Sequence, residues 1–189
     1  MRKLVYYIAV SLDGYIAGPG GEFDFYPTSD AYTAWMADRF PDTIPTRYRE
    51  QLGLESVPNK NFDTAIMGSG TYLPGLADGM TSPWSHLEQY VVSTTLDKVD
   101  DPSVTLVRDP FPLVRELKQR DGLDIWLAGA AKLAGSLLPE IDQLIIKSYP
   151  VIAGAGVPAI NGEFQPTQFT PTEHMSFDNG AYVTWYDRK

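Results

Sequence analysis

DIWLAGAAKLAGSLLPEIDQLIIKSYPVIAGAGVPAI, Asp124 to Ile160, joins an apolar strand, a small-residue turn, a helix, a second apolar strand and a glycine turn without interruption. Leu123 to Ala128 reads as a strand, Ala131 to Leu138 as a helix stopped by Pro139, and Gln143 to Ile152 as a long strand. A strand that opens through small residues into a helix exposes backbone N–H groups able to hold a phosphate. Gly129, Ala130 and Ala131 would give such access, and Lys132 would add charge. The same three small residues also suit close packing of helix on strand, so two readings stand for this turn.

Working outward, strands and helices alternate. Leu4 to Val10 is apolar throughout and reads as a strand buried on both faces at the sheet centre. SLDGYIAG follows as a turn and short extension, and GPGGEFDFYP, with neither helical nor strand period, as a mobile loop. Thr28, Ser29 and Asp30 cap a helix reaching Phe40, with Ala31, Ala34, Trp35 and Met36 turned inward and Pro41 ending it. Asp42 to Asn61 has helical patches among breakers and reads as a substrate lid, where Arg39, Arg47 and Arg49 form a basic pocket or solvated, paired surface charges. Phe62 to Met67 is a strand running into Gly68, Ser69, Gly70 and Thr71, a second strand-to-turn-to-helix junction whose helix Pro74 stops. Tyr90 to Ser93 and Val104 to Val107 are short strands, Pro112 to Arg120 an amphipathic helix, and the tail a hairpin turned at Asp178, Asn179 and Gly180. Strands separated by helical crossovers predict an α/β fold of three layers, with a mainly parallel central sheet and an antiparallel C-terminal hairpin. No linker or composition shift divides residues 1–189, so one domain is expected.

Composition narrows the function. A net charge of −9 with no basic cluster argues against nucleic acid as a partner. The absence of cysteine excludes disulfides, thiolate metal sites and a cysteine nucleophile, and suits a reducing compartment. His86 and His174 stand far apart in sequence, so no histidine metal cluster is expected. The N-terminal apolar run is broken at Ser11 to Gly14 and lacks a cleavage site, and no run approaches a membrane span. A cytoplasmic protein without membrane contact is the resulting expectation.

IAVSLDGYIAG, FDTAIMGSGTY, YVVSTTLD and DIWLAGAAKL followed by LLPEIDQLIIKSYPVIAGAGVP occur in the order seen in the dihydrofolate reductase superfamily. Across nearly the whole chain they resemble its branch containing the reductase domain of the bacterial riboflavin-synthesis deaminase/reductase. That resemblance implies a dihydrofolate-reductase-like fold and an NADPH-dependent reductase, with NADH not excluded. The implied substrate is a small pterin-like, aminopyrimidine or related carbonyl or imine compound. The resemblance places the phosphates at Gly68, Ser69, Gly70 and Thr71 and at Gly129, Ala130, Ala131, Lys132 and Leu133. It sets Ser93 and Thr94 against the adenosine half, Ala9 and Ile16 beside the nicotinamide, and Gly18 in the covering loop. Ser69 stands where relatives carry an arginine for a 2′-phosphate, and Ala130 replaces the second glycine of a frequent pair. By the same resemblance Asp30 is the candidate catalytic acid, with a helix N-cap as its structural reading; Asp13, paired with Gly14 in SLDG, reads from its own sequence as a turn former. The branch implies a homodimer. A non-catalytic or regulatory nucleotide-binding protein that keeps the fold is the alternative function.

Overall fold

LVYYIAV is β-branched and aromatic along its length, and in the computed structural model, which describes residues 1–129 and 131–189, it forms β1 (Leu4–Val10). In chain order follow β2 (Tyr15–Ala17), α1 (Asp30–Arg39), α2 (Thr46–Gln51), β3 (Phe62–Gly68), α3 (Ser69–Ala77), β4 (Glu88–Val92), β5 (Val104–Val107) and α4 (Pro110–Gln119). The C-terminal part adds β6 (Asp124–Ala128), α5 (Ala131–Ser136), β7 (Gln143–Ser148), β8 (Val157–Pro158), β9 (Phe169–Ser176) and β10 (Tyr182–Arg188). The main sheet has eight strands in the order β5-β4-β3-β6-β1-β7-β10-β9. Those from β5 to β7 run parallel, and β10 and β9 add an antiparallel hairpin at one edge. β2 and β8 pair separately.

Side-chain alternation splits the core into two layers. Val5, Tyr7, Met67, Trp126, Ala128 and Ile145 face one side, together with Tyr32 of α1 and Tyr72 of α3. Leu4, Tyr6, Ile66, Ile125 and Leu127 face the other, against Val114 and Leu117 of α4 and Leu133 and Ala134 of α5. The chain therefore leaves β1 and β3 over one face and leaves β5 and β6, through α4 and α5, over the opposite one. Reversing both face and direction preserves crossover handedness and opens a crevice at the carboxyl end of β6, between β3 and β1.

Several local expectations change. In α1, Tyr32 is the buried residue, Trp35 and Met36 are half-buried, and Ala31 and Ala34 are exposed, because the helix turns its aromatic side toward Tyr149 and Phe177. α3 continues through Pro74 to Ala77 at the cost of one missing backbone donor. β7 stops at Ser148, before Tyr149 and Pro150 turn the chain away. The segment read as a lid is instead bolted to the amino-terminal end of β3. Asp42 is fully buried and accepts the backbone N–H groups of Lys60 (2.6 Å), Asn61 (2.8 Å) and Phe62 (3.2 Å). Buried Arg49 donates to the carbonyls of Pro41 (2.6 Å), Leu54 (3.0 Å) and Val57 (2.5 Å). Its guanidinium is thus committed to the loop. Arg39 faces Glu173 at 3.8 Å, and exposed Arg47 donates to the Asp78 carbonyl.

Candidate functional site

The crevice is built from two turns in contact. Gly129 follows β6 with φ +62, a left-handed conformation that favours glycine, and a Cβ placed there would lie 2.6 Å from Thr71 Oγ1. Thr71, in the first turn of α3, donates to the Ala128 carbonyl at 3.2 Å. The two small-residue turns therefore meet across the crevice, and the close approach is one that only a glycine permits. At the start of α3, Gly68 is the N-cap and supplies no side-chain acceptor, while Gly70 is exposed with open space where a side chain would project. The positive end of the α3 dipole and its first N–H groups thus open at the carboxyl edge of the sheet. Across the crevice Ala131 and Leu133 are buried and Lys132 is exposed. Ala130 lies outside the described residues.

Ala9 ends the α1-facing row of β1, level with Lys147 of β7. Ile16 and Gly18 belong to β2 and the turn after it. That glycine-rich run is closed on itself: the Gly18 N–H reaches the Glu22 carbonyl at 2.7 Å and the Gly21 N–H the Gly18 carbonyl at 3.0 Å. Ser93 and Thr94 follow β4 at the same edge. Ser93 is buried, and its hydroxyl accepts the N–H groups of Thr95 (3.2 Å) and Leu96 (3.0 Å), so that oxygen closes its own turn. Thr94 is exposed. The predicted cofactor residues thus gather on one edge, at the ends of β1, β3, β4 and β6.

Asp30 stands apart from them. It is exposed at the first position of α1, about 200° round the helix from buried Tyr32. Ser29 is the N-cap, accepting the Tyr32 N–H at 3.3 Å, so the capping role belongs to Ser29.

Asp13 holds the opposite rim. Its carboxylate accepts from the Ser11 hydroxyl (2.6 Å) and from the N–H groups of Ala153 (3.0 Å) and Gly154 (2.7 Å). The Asn161 N–H then reaches the Ala131 carbonyl at 3.0 Å, so the second glycine turn spans from the N-terminal loop to α5. The Ser11 hydroxyl, followed by the Ala153 amide, pulls the Asp13 pKa down to about 2. A depressed carboxylate pKa means that the clasp is intact above about pH 4 and weakens as pH falls toward 2. Faster hydrogen exchange at Ala153 and Gly154 is therefore expected in Asp13→Ala at neutral pH, with the unaltered protein approaching the variant between pH 4 and pH 2. Equal exchange rates at pH 7 would count against the clasp.

Side chains not singled out from the sequence complete the site. Tyr26, Tyr32 and Tyr149 line its α1 side, with the Tyr32 and Tyr149 hydroxyls 2.6 Å apart and the Tyr26 and Tyr149 rings 4.5 Å apart. Burial raises all three phenols, Tyr26 to about 12. Arg108, just past β5, donates to the Ser93 carbonyl at 2.6 Å and forms no ion pair among the described residues. Lys147 was hidden as one position of an apolar run, although a lysine within QLIIKSY was the visible signal. A separate polar cleft of about 470 Å³ lies at the amino-terminal edge, lined by Arg39, Lys60, Asp124, Gln143 and Glu173, and contains none of the predicted cofactor residues. Among the described residues no helix is long and apolar enough to cross a membrane, and no three His, Asp or Glu side chains gather as a metal site.

A mainly parallel sheet whose crossovers reverse after β5, a two-turn crevice and an antiparallel C-terminal hairpin define a dihydrofolate-reductase-like fold. The chain belongs to the RibD C-terminal domain family, whose model matches residues 60–183. YwjB of Bacillus subtilis strain 168, described as uncharacterized, is 32% identical over 160 residues, covering 83% of this chain and 82% of YwjB. A candidate riboflavin biosynthesis protein from Shewanella sp. PV-4 superposes with a TM-score of 0.71 at 22% identity, covering 100% of this chain and 99% of that one. The diaminohydroxyphosphoribosylaminopyrimidine deaminase/5-amino-6-(5-phosphoribosylamino)uracil reductase of Thermotoga maritima matches at TM-score 0.64 and 14% identity, over 100% of this chain and 57% of that one.

Proposed function

We propose that this protein is an NAD(P)H-dependent reductase acting on a carbonyl or imine of an aminopyrimidine or pterin-like compound, the 5-amino-6-(5-phosphoribosylamino)uracil type first. The observation that carries the reading is the contact of Gly129 with Thr71. It brings two small-residue turns and the uncapped start of α3 to one crevice at the strand reversal. Backbone N–H groups at Ser69 to Thr71 and near Ala131 hold the pyrophosphate, and Lys132 adds charge at the rim. Ala9 leaves room for a ring above β1, and Tyr26, Tyr32 and Tyr149 wall the substrate side and exclude water. When bound, the cofactor supplies the hydride.

NADPH and NADH titrations followed by fluorescence, with dinucleotide oxidation read at the nicotinamide absorbance band, test the reading. Oxidation driven by 5-amino-6-(5-phosphoribosylamino)uracil or dihydrofolate is the expected result. Binding without turnover would favour a nucleotide-binding protein, and no binding at millimolar dinucleotide would end the reading.

Arg108 is the cation beside the Ser93–Thr94 turn, on the edge where Ser69 offers no charge. Arg108→Ala is expected to weaken NADPH about tenfold, the size of a lost charge-assisted hydrogen bond, while NADH changes less than about twofold. Equal loss for both dinucleotides would show that Arg108 does not meet the 2′-phosphate, the group that distinguishes NADPH from NADH.

A further inference from the structure

Lys147 occupies a position where the sheet would otherwise carry an apolar side chain. Along β7 it follows Ile145 and precedes Tyr149 on the α1-facing row, and both of those neighbours are buried. In register it lies between Ala9 of β1 and Val183 of β10. Its ammonium sits 4.1 Å from the centre of the Tyr7 ring. Among the described residues no hydrogen bond or ion pair engages Lys147 Nζ, whereas Lys3, Lys60, Lys98 and Lys118 each hold a carboxylate. The side chain is packed among protein atoms yet keeps part of its surface open, as a group at the floor of a site does. A cation–π contact with one ring satisfies none of the three N–H donors in the plane of a hydrogen bond. Nζ is not sealed off, so water reaches these donors and a bound molecule can take that water's place.

The side chains on this face are phenols: Tyr7 of β1 lies against the ammonium, Tyr149 follows on the same row beyond β7, and Tyr32 of α1 and Tyr26 of the loop before it pack on Tyr149. Burial holds all four above the ordinary tyrosine value, so they stay neutral at physiological pH. Asp30 and Asp178, at the start of α1 and in the hairpin turn, are exposed and do not pair with it, and β10 offers Val183. With no anion among the described residues to stabilise the ammonium, desolvation lowers the Lys147 pKa to about 8, near the range in which a proton donor works best.

Building on the reductase reading, we propose that Lys147 is the proton donor of the reduction, its ammonium hydrogen-bonded to the oxygen or nitrogen of the reducible C=O or C=N. As hydride adds to the carbon, the π pair moves to that heteroatom, which takes a proton from Nζ. Lysine is left as a neutral amine and recovers its proton from water. Asp30, exposed and on the far side of α1 from Tyr32, is then not needed for proton delivery.

Competitive labelling with acetic anhydride between pH 6 and pH 10, read by peptide mass spectrometry, tests the site without turnover. Lys147 is expected to titrate near 8 and to be slowed by saturating NADPH, unlike the ion-paired surface lysines. In turnover, Lys147→Met is expected to lower kcat by about 10²–10³-fold while the NADPH Kd changes less than about threefold. The unaltered protein should lose kcat as pH rises above about 8, and Lys147→Arg, which folds with the charge retained, should lose that limb. A Lys147→Met enzyme that keeps kcat within about threefold, or a Lys147 that titrates with the surface lysines, would overturn the assignment. Absence of NADPH binding by the unaltered protein would instead overturn the reductase reading, and the proton-donor role with it.

Discussion

Gly129→Val is expected to weaken dinucleotide binding about 100-fold. Two separate costs fall on one atom. A β-branched residue at φ +62 is strained by about 1–3 kcal/mol wherever it sits. Its Cβ would also lie 2.6 Å from Thr71 Oγ1, closer than real contacts allow, so Thr71 must swing away from the Ala128 carbonyl it now bonds. That movement separates the two turns that form the crevice. An NADPH affinity loss of about 100-fold, accompanied by a stability loss near 2 kcal/mol, is the expected pattern. Gly129→Ala carries the same backbone strain with less bulk, and pairing it with Thr71→Ala separates the terms. The double variant should regain the steric part and keep the conformational part, giving a coupling energy above about 0.5 kcal/mol in a double-mutant cycle. Strict additivity would mean that the turns do not communicate through this contact.

Asp42→Ala is expected to produce a large stability loss without touching the site. The carboxylate is fully buried and satisfies three consecutive backbone donors at the entry to β3, together with Asn61 Nδ2 at 3.0 Å. Alanine leaves those donors with no acceptor, at about 1–3 kcal/mol for each one that water cannot reach. A total of about 3–5 kcal/mol, or a fall in Tm of roughly 10 °C for a chain of this length, should appear in denaturant or thermal unfolding. Because Asp42 lies at the amino-terminal end of the sheet, the NADPH Kd of the folded variant should change less than about twofold. A Tm within a degree or two of the unaltered protein would show that Asp42 does not hold the segment.

Much of the architecture was legible because local chemistry imposed it. The apolar, β-branched run at Leu4 to Val10 had no alternative to a buried strand, and the order of strand, turn and helix from Asp124 onward survived with only its ends moved. The turn at Asp178 to Gly180 followed from the need for positive φ at Gly180. The inward face of α1 was not legible. DAYTAWMADR has no clear apolar stripe, and Tyr32 is chosen by its contact with Tyr149, 117 residues away. Asp42 to Asn61 looked like a loose lid because Asp42 and Arg49 satisfy backbone groups rather than each other or solvent, a pattern with no signature in spacing. Ser93 suits both a ligand hydroxyl and a strand-end turn by its sequence, and only the fold shows its oxygen accepting the Thr95 and Leu96 N–H groups.

The chain by itself determined where small residues break strands into helices, at Gly68 and Gly129, in turns that suit either a phosphate or close packing. At Gly129 the turn uses glycine's access to left-handed backbone, a property of the residue that its position carries directly, whereas Gly68, at φ −85, contributes only its missing side chain. Tertiary structure alone decided that those turns touch, that the crossovers reverse after β5, and that Lys147 faces a ring and, among the described residues, no carboxylate. Burial and counter-charge are set by residues distant in sequence, and a lysine in an apolar strand reveals its chemistry only once its neighbours are in place.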